Sequence, residues 1–142
     1  MLKFLFSILL LLQQGASVFS VRDDFSSDVP LYEAQITFKN MGCKSEFVGS
    51  FLNHTEIEIK CSYELSVLRK GKSGSSRSIQ RGMANAKPEV ATLLSKSSVN
   101  VGQNDYCFVS LKVWCQDMLI AKDSINIDCS SQLDLSLKTT IP

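Results

Sequence analysis

From residue 56 to residue 67 the chain alternates without a break: Ile57, Ile59, Cys61, Tyr63, Leu65 and Val67 hold every second position, with Glu56, Glu58, Lys60, Ser62, Glu64 and Ser66 between them. Period two gives a β-strand one apolar and one polar face, whereas a helix would scatter both sets around its circumference. A long strand over 56–69 is the first expectation. A second covers 106–116, where Cys107, Val109, Leu111, Val113 and Cys115 alternate with Tyr106, Phe108, Ser110, Lys112 and Trp114. Its other face is partly aromatic, as on a strand that is covered or that binds something. Shorter β-type runs fall at 32–39 and 46–52, separated by a turn-like group at 40–42. Gln116-Asp117 is the right length for a tight hairpin into a strand at 118–127.

The segment 71–76 turns the long strand into the run SRSIQRG, and 82–88 reads as a loop ending at Pro88. Residues 90–101 fit a strand or a short helix, and the β-branched Val99 and Val101 favour the strand. About seven strands with turn signals between them, and no convincing amphipathic helix, predict an all-β, immunoglobulin-like antiparallel sandwich over 32–129.

The ends of the chain read differently. Lys3, the apolar run 4–12 and the small residues Val18 and Ser20 make a cleavable signal peptide over 1–20. The run is too short to cross a bilayer, which takes about 20 residues, so export without stable membrane insertion is expected. Residues 21–31, with Asp23, Asp24, Asp28 and Pro30, are expected to form a flexible leader, and 130–142 a flexible tail. About 120 residues remain after cleavage, enough for one core.

Charge narrows the partners. Removing Lys3 brings the 15 Lys and Arg down to 14, equal to the 14 Asp and Glu, so no global field draws nucleic acid or a membrane surface. Between Glu64 and Glu89, however, no acidic residue occurs, while Arg69, Lys70, Lys72, Arg77, Arg81 and Lys87 all do. Such a cluster either guards an edge strand against aggregation or docks an acidic or polar, disordered client.

Catalysis has little to stand on. His54, the one histidine, sits in Asn53-His54-Thr55 as an exposed loop residue, with no serine or cysteine nucleophile in a definable relation to it. The same tripeptide matches an N-glycosylation acceptor, relevant only in a eukaryotic host. Without ligand pairs at zinc spacing, neither a metal site nor another cofactor is expected. The five cysteines, Cys43, Cys61, Cys107, Cys115 and Cys129, are an odd number in an oxidising compartment. Two bridges among them can be drawn in about 15 ways, and no Cys-x-x-Cys occurs. Cys61, Cys107 and Cys115 fall on apolar strand faces, as core residues or the ends of structural bridges.

The stretches QITF at 35–38, CSYELSVLRKGKSGSSRSIQRG from Cys61, LLSKSSVNVGQND from Leu93 and FVSLKVWCQDMLIAKDSINI from Phe108 resemble, in pattern and order, the CsgC/CsgH family of curli-assembly proteins over 34–127. The resemblance implies a periplasmic, non-enzymatic sandwich that binds the disordered major curli subunit and prevents premature amyloid formation before secretion, and the chain is expected to act as a monomer. Some members carry Cys-x-Cys where this chain has Ile59 and Cys61, so a thiol-disulfide accessory of the same secretion system is the alternative with one thiol missing. A structural pilus or adhesin-like domain is the third reading.

Overall fold

The structure is a computed structural model that describes residues 28–129; the signal peptide, most of the leader and the tail expected from the sequence lie outside them. Seven strands follow in order: β1 (Tyr32–Asn40), β2 (Lys44–Asn53), β3 (Ile59–Gly71), β4 (Gly74–Ala86), β5 (Thr92–Asn100), β6 (Tyr106–Cys115) and β7 (Met118–Asp128). They form a three-stranded sheet, β1-β2-β5, and a four-stranded sheet, β4-β3-β6-β7. Every ladder is antiparallel. The all-β sandwich expected from the alternation is thus the observed fold, with β4 paired to β3 rather than in the sheet of β1, β2 and β5.

The inward sets of both sheets make one core. Phe47 and Phe51 of β2 meet Leu65 and Val67 of β3 and Val109, Leu111 and Val113 of β6, all essentially without solvent exposure. Gly49 lies between Phe47 and Phe51, and a Cβ there would come within 3.3 Å of the Leu111 side chain. The missing side chain is what lets Leu111 cross from the other sheet. At one flank the sandwich is closed by Asp123 of β7, whose Oδ2 accepts a hydrogen bond from the Ile36 amide of β1 at 2.7 Å.

Three expectations need correction. The long strand begins at Ile59, not residue 56, and Ile57 is 67% exposed. The reason is Asn53, buried at the end of β2: its Nδ2 donates to the carbonyls of Ile57 at 2.7 Å and Ala86 at 3.0 Å, which holds residues 54–58 as a loop. The same contacts occupy the amide nitrogen that glycosylation would need. Residues 82–86 are not a loop but the second half of β4, in register with Ile59 through Tyr63. Gly82, Ala84 and Ala86 are small because they face inward; a Cβ on Gly82 would sit 2.5 Å from the Tyr63 hydroxyl. Cys115, expected in the core, is only partly buried, because it ends β6 beside the hairpin Gln116-Asp117. Both hairpin residues have positive φ, 49° and 65°, the type I′ geometry that suits the twist of a two-residue connection.

Candidate functional site

The two outer faces of the sandwich differ sharply. On the three-stranded sheet the outward positions include Gln35, Thr37 and Ser50, and the charged pair Lys96–Glu46 closes at 2.9 Å. On the four-stranded sheet the register stacks side chains into cross-strand rows. One row runs Arg81, Glu64, Lys112, Lys122; another Arg77, Leu68, Phe108, Asn126; a third Met83, Ser62, Trp114, Leu119. Lys60 and Lys70 lie on the same face by strand parity.

This face therefore gathers Lys60, Lys70, Arg77, Arg81, Lys112 and Lys122 against the carboxylates of Glu64 and Asp128, and interleaves them with three aromatic rings of β6, Tyr106, Phe108 and Trp114. Lys112 and Lys122 stand directly opposite each other, an arrangement that costs folding free energy on an antiparallel pair. The charge of the row is only partly compensated: Glu64 is taken by Arg81, whose Nε lies 2.7 Å from its Oε2. Arg77 Nε donates to the buried Ser66 hydroxyl at 3.4 Å, and Tyr106 donates its hydroxyl hydrogen to Asn126 Oδ1 at 2.7 Å.

The six cations singled out in the sequence are divided by this geometry, Lys87 lying just past the end of β4. Lys70, Arg77 and Arg81 are on the outer face, and Lys72 is in the β3–β4 turn. Arg69 is on the inward side, where its Nη1 pairs with Asp105 Oδ2 at 3.0 Å, the two side chains being 21% and 6% exposed. It is a structural anchor. Lys112 and Lys122 escaped the sequence reading because Lys112 stands between Leu111 and Val113 and Lys122 between Ala121 and Asp123, and only the β6–β7 register brings them together. Their available signal was parity with Phe108 and Trp114.

The cysteines divide as well. All five are free thiols; Cys61 and Cys107 are buried, Cys115 and Cys129 partly so, and Cys43 is exposed. Burial, more than any neighbouring group, pushes the thiol pKa up at Cys61, Cys107 and Cys129, the opposite of what a reactive thiol needs.

His54 is not the exposed loop histidine expected. Its ring lies between Glu33 Oε2 at 3.4 Å and Glu89 Oε2 at 3.2 Å, tying β1 to the β4–β5 connection. The Glu33 hydrogen bond, with help from Glu89, raises its pKa above the ordinary 6.5 despite opposing desolvation. A raised folded-state pKa means that the protonated ring favours the fold. That contribution is complete below the unfolded value and is lost as pH rises through the folded one. Proton NMR titration of this sole imidazole should give a midpoint above 6.5, lowered in both Glu33→Gln and Glu89→Gln; a midpoint at or below 6.5 in the wild type would rule out the bridge in solution.

No family model matches the sequence, and no curated protein sequence does either. Solved structures do match. The curli protein CsgC of E. coli is similar at 17% identity and a TM-score of 0.57, over 66% of this chain and 96% of that one. CsgH of R. palustris is similar at 18% identity and a TM-score of 0.53, over 69% and 92%. A β-glucuronidase of Bacteroides uniformis matches at 7% identity and a TM-score of 0.51, over 70% of this chain but only 14% of the enzyme, a reminder that the sandwich serves unrelated functions. Over nearly the whole length of CsgC and CsgH, the fold of this chain is theirs.

Proposed function

We propose that the domain is a curli-assembly chaperone, exported to the periplasm and acting as a monomer, that binds the disordered major curli subunit and delays its amyloid formation before secretion. The observation that carries this reading is the basic, aromatic outer face of the β4-β3-β6-β7 sheet on a fold shared with the curli protein CsgC. A polar, disordered client exposes backbone and side chains together. Cations spread over the sheet raise the encounter rate of a client that carries carboxylates, and the rings of Tyr106, Phe108 and Trp114 offer stacking surface once it arrives. The exposed edge of β4 adds unpaired backbone groups for transient strand pairing.

The work is binding rather than catalysis, and the raised thiol pKa values at Cys61 and Cys107 disfavour a disulfide-exchange enzyme. Surface charges are screened within about 10 Å at 0.1 M salt. Titration of a curli-type subunit into the mature protein should therefore give an affinity that falls several-fold between low and high salt. A salt-independent affinity would remove the basic face from the mechanism, and no binding at any salt would remove the reading itself.

A further inference from the structure

Five thiols allow many pairings, but strand register sorts them by position. Cys107 and Cys115 sit at opposite ends of β6, separated by about 26 Å at a strand's rise per residue. At the Cys107 end lie Cys129, whose amide donates to the Asp105 carbonyl at 3.1 Å, and Cys43, whose carbonyl accepts from the Val101 amide at 3.1 Å. At the Cys115 end lies Cys61 alone. The β3–β6 ladder runs to Ser62 opposite Trp114, and one further step places Cys61 opposite Cys115. Strand parity turns both toward the inner side of the same sheet, and both line one cleft at that end of the sandwich, with Tyr32, Met83 and Trp114.

Directly opposed residues of an antiparallel pair have Cα atoms about 4.5–5.5 Å apart, inside the span of about 4.4–6.8 Å that a disulfide accepts. We propose that Cys61 and Cys115 are a cross-strand disulfide site that joins β3 to β6 once the chain meets an oxidising disulfide. The thiol of Cys61 now donates weakly to the Ala84 carbonyl of β4 at 3.5 Å; closing the bridge turns it about its Cα–Cβ bond toward β6 and gives up that contact.

The chemistry balances with a small disulfide such as oxidised glutathione. Cys115, the more exposed of the two, attacks it as the thiolate, forming a mixed disulfide and releasing one glutathione. Cys61 then attacks the Cys115 sulfur as thiolate, forming the protein bond and releasing the second. Both cysteine protons leave, and the two electrons reduce the glutathione disulfide to two thiols. Burial raises the Cys61 thiol pKa and so lowers the thiolate fraction available for the second step.

The test is to incubate the reduced mature protein with oxidised glutathione, quench with acid, unfold, alkylate free thiols, and map peptides without reduction. The expected product carries Cys61 joined to Cys115 and has lost two hydrogens. The link persists in a Cys43→Ser/Cys107→Ser/Cys129→Ser variant and vanishes in Cys115→Ser, which keeps the buried Cys61. Melting temperature should rise by at least about 5 °C on oxidation of the triple variant, since the bond closes a long loop. Alkylation of both Cys61 and Cys115 after prolonged oxidation, or a bond from Cys61 to any other cysteine, would overturn the proposal.

Discussion

Asp105→Ala is expected to destabilise the domain by about 2–4 kcal/mol, the range for stripping a mostly buried ion pair of one partner when the other keeps some solvent contact. The carboxylate of Asp105 has two duties. It accepts from the Gly102 amide at 2.8 Å, which folds the loop between β5 and β6, and it pairs with the Arg69 guanidinium at 3.0 Å, which ties that loop to β3. Gly71 belongs to the same arrangement, since a Cβ at that position would collide with the Asp105 carboxylate. Removing the carboxylate leaves a largely enclosed guanidinium without its countercharge and an amide without its acceptor. For a domain of this size the loss corresponds to a fall in melting temperature of roughly 10–25 °C. Lys70→Ala, one residue along β3 but facing solvent, should stay within about 0.5 kcal/mol. Thermal melts of the two variants make the comparison, and equal small losses would show that Arg69 and Asp105 do not form the anchor described.

That contrast between adjacent cations also shows where sequence reasoning ended. Arg69 and Lys70 look alike in a basic stretch, yet period two sends one inward to Asp105 and the other outward. The partner lies 36 residues away, and no local signal points to it. Strands with clean alternation were readable: 106–115 keeps four buried apolar residues at every second position, and Gln116-Asp117 turns as its length implied. The second half of β4 was not, because Gly82, Ala84 and Ala86 carry a loop-like composition whose cause is tertiary, the bulk of Tyr63 facing Gly82. Ile57 continued the alternation of β3 on paper but was pulled out of it by the Asn53 side chain. The outer-face site was half legible. Its aromatic strand could be seen in Phe108 and Trp114, whereas the Lys112–Lys122 pair exists only through the β6–β7 register.

The same register supplies the second large effect. Lys112 and Lys122 are like charges held opposite each other, a pairing that by itself costs stability. In the proposed function they extend the positive field of Lys70 and Arg77 across all four strands. A Lys70→Glu/Arg77→Glu/Lys112→Glu/Lys122→Glu variant reverses that field at exposed positions and leaves the core, the Arg69–Asp105 anchor and the Arg81–Glu64 pair in place. Its melting temperature should fall modestly, because Lys112→Glu faces Glu64 and Arg77→Glu removes the donor to Ser66, but the domain stays folded while its effect on a client changes several-fold.

The most direct test of the account is the lag time of dye-reported fibril growth by a curli-type amyloid subunit, with wild type or this variant added below equimolar ratio and circular dichroism confirming that both are folded. Wild type should lengthen the lag several-fold, less so as salt rises, and the folded variant should lose most of the effect. A folded variant that delays growth as long as wild type would contradict the outer face as the binding site, and a wild type that leaves the lag unchanged would contradict the chaperone function.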